Sequence, residues 1–421
     1  MKKIAIALFI VLSCVVAHAQ DYCNTSRFDT TDVFTKGQIA IDTVVYGYNI
    51  DWQGHGDSLK LEVFYPKNSV DPLARRPVIM LTHGGGFVNG NLGGMRSNAL
   101  YFARKGFVAF TIDYRLGWNQ VCVPNNTSNV KAVYRANQDG RAAMRYMMAH
   151  ASAYKIDTSK VFLFGKSAGA VNSLVMHFAT EADFDAILPG IADSLGGLNT
   201  STNALTTPFS IKGIATVSGG LFDLSSITSQ NMIPLQMFHG VQDVVVPYRT
   251  DHPYGCTEFP EISGSFDIAN RLRQLGGCFE LCFDPDAGHG DVYDGEENFI
   301  YKRISHAFKR VLCDDCRQIV YRNKTLISDQ SFSLIASAEE EEGENSPLSL
   351  YPNPCRDMVT ISGVAARSVR LINDRGEVVA KADGAVTTID MSGYAQGAYL
   401  LVVTDAAGST FTRRLMKLEG R

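Results

Sequence analysis

Short apolar runs alternate with longer amphipathic runs through the first three-quarters of the chain. The apolar runs predict buried parallel strands, and they occupy residues 77–82, 107–113, 160–164, 212–217, 234–238 and 278–283. Helical periodicity predicts helices at 96–105, 130–150, 168–180 and 297–311. Residues 57–65 alternate instead, which predicts a strand with one solvent-facing side. Strands that alternate with helices indicate an α/β fold, in which a mostly parallel, doubly wound sheet carries helices on both faces.

Two segments interrupt this alternation. Residues 117–129 and 181–209 have the composition of loops and lie between predicted core elements. Ligands of open α/β sheets bind beyond the carboxyl ends of the strands. The two segments are therefore predicted to contact the substrate, as a rim or a small cap. Passive surface loops are the alternative, and the lengths of the segments leave both possibilities open.

The pattern changes again near residue 325. Residues 326–347 contain the acidic run 339–342 together with Ser, Gly and Pro, which is typical of a flexible linker. Residues 348–421 contain about seven short alternating segments separated by Gly and Asp turns, which predict a small all-β sandwich. The predicted layout is an α/β domain over 20–325, a linker over 326–347 and a β domain over 348–421.

The first 19 residues have the features of a secretory signal peptide. Two lysines precede an apolar run, and Ala17-His18-Ala19 matches an A-x-A cleavage site. A buried N-terminal strand or helix and lipidation at Cys14 are the alternatives, and plain cleavage is favoured over lipidation because Leu12 fits a lipobox poorly just before Ser13. No later apolar run is long enough to cross a membrane as a helix, so no transmembrane span is predicted.

Charge and cysteine content narrow the picture further. The formal net charge of -4 excludes a large basic surface of the kind that binds nucleic acid. Nine cysteines include Cys14 of the predicted signal peptide, so eight remain in a chain expected to be exported, where disulfides form. Cys313 and Cys316 form a CxxC that is interpreted as structural. A bond from one of them to Cys23 is a candidate pairing that spacing alone does not decide.

Four motifs carry candidate chemistry, and each follows an apolar run. They are HGGGFVNG at 83–90, GKSAG at 165–169, GVQD ending at Asp243, and AGHG around His289. GKSAG fits the G-x-S-x-G nucleophile elbow with Ser167 at its centre. The chain order Ser, Asp, His is that of the α/β-hydrolases.

On these residues the chain resembles the α/β-hydrolase superfamily, in particular the HGGG-type carboxylesterases. ARRPVIMLTHGGG, KGFVAFTIDYRL and HGVQDVVVPY support the resemblance, and the last is similar to the acid loop of the dienelactone hydrolase and feruloyl esterase-like branch. The resemblance implies that Ser167 is the nucleophile, His289 the base and Asp243 the acid. Asp243 is favoured over the other carboxylates near His289 because it follows an apolar strand ended by Gly; those are Asp284, Asp286, Asp291 and Asp294.

The resemblance also implies an oxyanion hole. Its expected donors are the backbone N–H groups of Gly85, Gly86 and Ala168. Phe87 is expected either to line the acyl pocket or to pack in the core. Lys166 stands where many relatives carry an acidic residue, and a cation beside Ser167 is expected to favour an acidic ester. No metal and no organic cofactor are implied.

The C-terminal region resembles the sorting domain of Bacteroidetes type IX secretion cargo. The matching residues are Tyr351-Pro352-Asn353-Pro354, Gly397-Ala398-Tyr399, and the basic ending 413–417. The resemblance implies transport by the type IX machinery to the cell surface or the medium. A carbohydrate-binding or adhesive β domain is the alternative.

The sequence therefore predicts a secreted serine carboxylesterase. Its expected substrates are small-molecule or polysaccharide-linked esters, with feruloyl or acetyl esters of plant polysaccharide as the favoured class on analogy alone. Two alternatives remain open at this point. One is a prolyl oligopeptidase-type serine peptidase, and the other is a non-catalytic binding module on a hydrolase fold.

Overall fold

The structure is a computed structural model that describes residues 22–290, 292, 295, 297–332, 348–353, 355–373, 378–406 and 410–418. The chain divides into two compact units, one up to residue 333 and one from residue 334 onward. The predicted signal peptide lies outside the described residues. No helix among the described residues is long and apolar enough to cross a membrane.

A large sheet forms the centre of the first unit. Its ten strands are β1 (Ile39–Ile50), β2 (Gly56–Pro66), β3 (Arg76–Thr82), β4 (Val108–Ile112), β5 (Ile156–Lys166), β6 (Ile211–Val217), β8 (Leu235–Gly240), β11 (Phe279–Asp284), β12 (Cys316–Arg322) and β13 (Thr325–Phe332). The strand order is β1-β2-β4-β3-β5-β6-β8-β11-β12-β13. All neighbours from β4 to β12 are parallel, whereas β1, β2 and β13 run antiparallel at the two edges.

The helices cover both faces of this sheet. They are α1 (Arg96–Arg104), α2 (Ser128–Ala149), α3 (Ala151–Tyr154), α4 (Ala168–Phe178), α5 (Glu181–Ile187), α6 (Ile191–Leu195), α7 (Ser265–Gln274) and α8 (Glu297–Leu312). Alternate residues of β3 enter different cores, since Val78 and Met80 pack with α2 and α4 while Ile79 and Leu81 pack with α1 and α8. The period of two along a strand thus gives two apolar layers, as the continuous apolar runs predict.

Short strands extend this frame beyond the central sheet. Three of them, β7 (Gly220–Leu221), β9 (Thr250–Asp251) and β10 (Ile262–Gly264), form a small separate sheet with β10 in the middle. The predicted α/β sheet and its helices are confirmed. The second interrupting segment contains two short helices, α5 and α6, which its loop-like composition did not predict.

The predicted start of the linker at residue 326 is wrong. Strand β13 begins at Thr325 and pairs with β12 through a tight turn at Asn323 and Lys324, which both have positive φ. This strand is mostly polar because it is the outer edge of the sheet, and Leu326 and Ile327 are about half exposed (48% and 51%). An edge strand with polar side chains has a composition close to that of a linker.

Three disulfides lie within the described residues of the first unit. They join Cys23 to Cys313, Cys122 to Cys256 and Cys278 to Cys316. The first of these is the candidate pairing of the CxxC, and the two cysteines of that motif bond to different partners. The N-terminal segment is also held by Lys309, whose ammonium donates to the carbonyls of Tyr22, Thr25 and Arg27.

The second unit contains two antiparallel sheets. One has the order β14-β15-β18 and the other β17-β16-β19-β20. The strands are β14 (Ser349–Tyr351), β15 (Met358–Ser362), β16 (Ala366–Ile372), β17 (Val378–Asp383), β18 (Thr388–Asp390), β19 (Gly397–Asp405) and β20 (Thr410–Lys417). Inward-facing residues such as Val359, Leu371 and Leu401 form its core, in agreement with the predicted all-β domain.

Candidate active site

Ser167 lies in a sharp turn between β5 and α4. Its backbone angles are φ 52° and ψ -120°, an unfavourable region for a residue with a side chain. Glycines on both sides make the turn feasible, because a Cβ on Gly165 would lie 2.1 Å from the carbonyl oxygen of Gly169. The turn therefore has the geometry of a nucleophile elbow, with the amino end of α4 directly behind the serine.

Ser167 is the first member of a hydrogen-bonded chain. Its Oγ lies 2.7 Å from His289 Nε2, and His289 Nδ1 lies 2.7 Å from Asp243 Oδ2. Ser167 follows β5, Asp243 follows β8 and His289 follows β11, so all three side chains meet at the carboxyl ends of parallel strands of the same sheet. A neutral imidazole that donates from Nδ1 to the carboxylate leaves Nε2 free to accept the serine proton.

The Asp243 carboxylate is buried and fully partnered. Its Oδ1 accepts from the backbone N–H groups of Val245 and Val246, both at 2.9 Å. Burial by itself raises the pKa of Asp243, but hydrogen bonds from His239 and His289 outweigh burial and hold that pKa well below its ordinary value. The group is therefore a carboxylate at any pH at which the protein is expected to act.

A second histidine touches the same carboxylate. His239 Nε2 lies 2.9 Å from the Val246 carbonyl oxygen and 3.3 Å from Asp243 Oδ2, while Nδ1 lies 2.8 Å from Ser265 Oγ. His239 is completely buried, and its two ring nitrogens are both occupied by these partners. His239 is thus placed to support Asp243 rather than to act as a rival base.

The other carboxylates near His289 are placed differently. Asp284 Oδ1 accepts from the backbone N–H of Asp286, and neither carboxylate contacts the imidazole. Asp291 and Asp294 lie outside the described residues. Among the described carboxylates, Asp243 is the one bonded to His289.

The loop at 83–90 orients its peptide groups through bonds to its carbonyls. The Gly84 oxygen lies 2.7 Å from His83 Nδ1, and the Gly85 oxygen accepts from Val88 and Asn89 N–H at 3.0 Å each. In a trans peptide the N–H points opposite to the carbonyl, so these bonds turn the N–H groups of Gly85 and Gly86 away from the interior of the loop.

This loop lies directly against the nucleophile. A Cβ on Gly84 would be 3.2 Å from Ser167 Cβ, so the loop and the nucleophile are in close contact. Within the described residues, the N–H groups of Gly85, Gly86 and Ala168 have no hydrogen-bond acceptor. Three free donors beside a serine hydroxyl form the arrangement that an oxyanion requires.

His83 braces the loop from inside. It is 3% exposed and stacks on Tyr114 with ring centroids 4.4 Å apart. A donor at Nδ1 is needed to bond the Gly84 oxygen, so Nε2 carries the lone pair, and this atom is buried without a partner. Burial lowers the pKa of His83, which keeps the imidazole neutral.

Two aromatic residues at this site are not anticipated by any motif. Trp118 donates from its indole N–H to the Gly86 oxygen at 2.8 Å, which holds the peptide between Gly86 and Phe87. Tyr254 lies beyond it, and its Oη is 3.2 Å from the position that a Cβ on Gly86 would occupy. Both come from loops of unremarkable composition, and an isolated aromatic residue in a loop is too weak a signal to assign to a site.

The structure places the two predicted substrate-binding residues away from open space. Phe87 is 9% exposed and packs on Tyr114, with ring centroids 6.1 Å apart, which matches the packing alternative. Lys166 Nζ donates to Tyr301 Oη at 3.2 Å and lies over the same ring. The ammonium is thereby directed at helix α8, and no contact joins it to the Ser167–His289–Asp243 chain.

The two interrupting segments differ in their relation to the site. The first, at 117–129, carries Trp118 to the oxyanion loop. The second, at 181–209, packs on α2 and β1, where Thr202 bonds to Asp139 and accepts from the Tyr48 backbone. Within the described part of the chain, the bonds of this second segment go to α2 and β1 and not to the site residues named above.

Two parts of this chain match families of known proteins. Residues 61–219 match the BD-FAE family, an α/β-hydrolase esterase family. Residues 349–417 match the secretion system C-terminal sorting domain. The first unit is therefore an α/β-hydrolase domain, and the chain also has a sorting domain of type IX secretion, which directs export to the cell surface or beyond it.

The individual proteins that this chain resembles are distant in sequence. Esterase B1 of Culex pipiens is 29% identical over 133 residues, which are 31% of this chain and about a quarter (24%) of that relative's length. A propionate-bound esterase of Thermogutta terrifontis has a TM-score of 0.44 at 19% identity, over 65% of this chain and 93% of its own. The α/β-hydrolase MGS-M1 from a deep-sea Medee basin metagenome has a TM-score of 0.43 at 16% identity, over 66% and 99%.

Proposed function

We propose that this protein is a secreted serine carboxylesterase that acts through an acyl-enzyme. The observation that carries the proposal is the continuous chain of short contacts from Ser167 through His289 to Asp243. A serine hydroxyl becomes a nucleophile only when a neighbouring base takes its proton. The free N–H donors beside that serine support an acyl-transfer reaction rather than a binding role.

The reaction has two halves. Ser167 Oγ attacks the ester carbonyl carbon as its proton passes to His289 Nε2, and the developing oxyanion accepts from Gly85, Gly86 and Ala168. The intermediate collapses with cleavage of the bond to the alcohol oxygen, which takes the proton from His289. Water then attacks the acyl-enzyme with His289 as base, and the acid and free Ser167 are released.

The substrate class is part of the same proposal. Export to the cell surface or the medium brings the enzyme to extracellular polymers, and feruloyl or acetyl esters of plant polysaccharide are substrates of that kind. Cleavage of a signal peptide after residue 19, a hydrolase domain from residue 20 and a sorting domain from residue 348 complete the proposed layout.

The test is ester turnover by the purified chain beside two serine variants. Ser167→Ala is expected to lower kcat to the background rate, a loss of about 10⁶-fold. The exposed Ser152 offers a matched control, and Ser152→Ala is expected to retain the full rate. A fluorophosphonate should add one equivalent of mass to the wild type and to Ser152→Ala, but not to Ser167→Ala.

Two outcomes would contradict the proposal. Preferential cleavage of proline-linked amides would make the protein a peptidase that uses the same residues. A folded wild type that neither turns over an ester nor reacts with the fluorophosphonate would make it a binding module.

A further inference from the structure

The carboxyl end of strand β6 contacts two of the segments that hold the proposed catalytic residues. β6 lies between β5, which leads to Ser167, and β8, which leads to Asp243. The oxygen of Val217, the last residue of β6, accepts from the Ser167 N–H at 2.8 Å. The next residue, Ser218, donates its N–H to the oxygen of Phe238 in β8, also at 2.8 Å.

The side chain of Ser218 reaches the third segment. Its hydroxyl donates to the backbone oxygen of His289, with 3.3 Å between the two oxygen atoms. The proposed base is thereby held at its main chain as well as at Nδ1, which lies 2.7 Å from Asp243 Oδ2. A strong O–H···O bond measures about 2.7–2.8 Å, so the contact of Ser218 guides the His289 backbone without locking it.

Ser218 has a side chain at a position where the backbone favours glycine. Its φ is 54°, in the left-handed region, and the residue is 1% exposed. A residue with a Cβ adopts this conformation only at a cost in free energy, whereas glycine adopts it freely. Glycine occupies both of the next two positions, 219 and 220. A hydroxyl that is buried, carried on strained backbone and bonded to the proposed base indicates a function for that hydroxyl.

We propose that Ser218 is a positioning residue, which holds the His289 backbone while the imidazole turns from Ser167 to the leaving alcohol. This inference rests on the proposed esterase function. When His289 takes the serine proton, its Nε2 is held 2.7 Å from Ser167 Oγ. To pass that proton to the alcohol oxygen, Nε2 has to turn away from Ser167. The bond to Asp243 and the position of the His289 backbone then determine where the N–H points.

The test compares two esters of the same acid by kcat/KM, which reports the steps up to the acyl-enzyme. Methyl butyrate loses a strongly basic alkoxide that needs a proton from His289, whereas p-nitrophenyl butyrate loses a stabilised phenolate that needs none. We expect Ser218→Ala to lower kcat/KM about tenfold for methyl butyrate and less than about threefold for p-nitrophenyl butyrate. The ratio of the two values does not depend on the amount of folded enzyme, so a purely structural role would leave it unchanged.

Ser218→Gly separates the hydroxyl from the backbone conformation. Glycine adopts a positive φ without strain, so this variant should be more stable to urea than Ser218→Ala. Its ratio of kcat/KM values should nevertheless fall by the same factor, because the hydroxyl is absent from both variants. Thr216→Val is the matched control and should keep the wild-type ratio. Thr216 is buried on the same strand, and its hydroxyl has no hydrogen-bond partner among the described residues.

An unchanged ratio in Ser218→Ala would overturn the inference, and Ser218→Gly decides alone if Ser218→Ala does not fold. A wild-type ratio in Ser218→Gly would also overturn it, because the backbone conformation and not the hydroxyl would then be responsible. A wild type that hydrolyses neither ester would refute the proposed function itself. Failure of the inference leaves Ser167-dependent hydrolysis of both esters in place, so the two failures are distinct.

Discussion

The oxyanion loop at 83–90 and the acid loop at 240–246 both follow buried parallel strands, but they present opposite chemistry. The first offers backbone N–H groups, and two side chains hold the peptides of the loop through their carbonyls, His83 from within the loop and Trp118 from outside it. The second offers a side-chain carboxylate, and backbone N–H groups orient it. The backbone donors of the oxyanion loop cannot be removed by a side-chain mutation, so mutations there act through the residues that hold the loop in place. In the acid loop the functional group is itself a side chain, so its mutation is expected to lower the rate directly.

The largest effect is expected in the acid loop from Asp243→Asn. The amide oxygen can still accept from Val245 and Val246, but the amide nitrogen then faces His289 Nδ1 and favours the tautomer that cannot take the serine proton. We expect kcat to fall about 10⁴-fold with KM little changed, as measured by steady-state hydrolysis of methyl butyrate.

Asp286→Asn is the control for this change, since Asp286 is an exposed carboxylate close to His289 in sequence and does not contact it. It should retain wild-type kcat. A comparable loss in Asp286→Asn would mean that the net negative charge near His289 matters more than the bond at Nδ1.

A smaller effect is expected in the oxyanion loop from Trp118→Phe. An aromatic ring remains, but the Gly86 oxygen loses its donor, so the Gly86–Phe87 peptide next to the Gly86 N–H is no longer held in one orientation. Since the donors themselves remain, the loss should be below the ~10²–10³-fold that removal of a donor costs, and we expect about tenfold in kcat. A loss of kcat as large as that of Asp243→Asn would contradict the view that Trp118 only holds the loop in place while Asp243 takes part in the reaction.

The two loops also differ in how far sequence predicts them. The glycines of the oxyanion loop form a recognisable sequence pattern because Gly85 has a positive φ and lies too close to Asn89 for any side chain, while Gly84 lies close to Ser167. Asp243 and His289 can be predicted from the sequence because each follows an apolar run that ends near glycine. The braces have no such signature, since Trp118, His239 and Ser265 reach the site only through the folded chain.

The same reasoning explains where prediction from sequence stops elsewhere. The parallel strands from β3 to β11 are continuous apolar runs because both of their faces are buried, and their positions follow directly from the pattern. Strand β13 is polar because it is an edge strand, so its composition matches a linker. Lys166 adjoins Ser167 in sequence, but side chains alternate in direction along a strand, and its ammonium reaches Tyr301 instead.

The next effect concerns the second histidine in the acid loop. His239→Gln removes the ring that bonds Asp243 Oδ2 and the Val246 oxygen, so the carboxylate is expected to lose orientation but not its bond to His289. We expect kcat to fall about fivefold, less than for either change above, with KM unchanged, because the residue acts through Asp243 and not on the substrate. The measurement is the separate determination of kcat and KM, at a temperature well below the unfolding transition.

Ser265→Ala gives a graded comparison, because it removes only the partner of His239 Nδ1. It should lower kcat in the same direction by less. If instead KM rises and kcat holds in both variants, then His239 shapes the substrate site, and its role as a positioning residue is refuted.

The smallest effect is a pH dependence of stability that belongs to the oxyanion loop. Burial lowers the pKa of His83 below the ordinary value of about 6.5. Above pH ~6.5 both folded and unfolded chains hold a neutral imidazole. As the pH falls below that value, the unfolded chain binds a proton that the folded chain does not, so the free energy of unfolding decreases.

His83→Gln removes this linkage, and its unfolding free energy should vary less than that of the wild type between pH 6.5 and pH 5. Urea unfolding at both pH values measures the difference between the two proteins. An equal pH dependence in the two proteins would show that His83 takes up its proton as readily in the folded chain as in the unfolded one. The bond from Nδ1 to the Gly84 oxygen would then tolerate an imidazolium, and the oxyanion loop would not need a neutral brace.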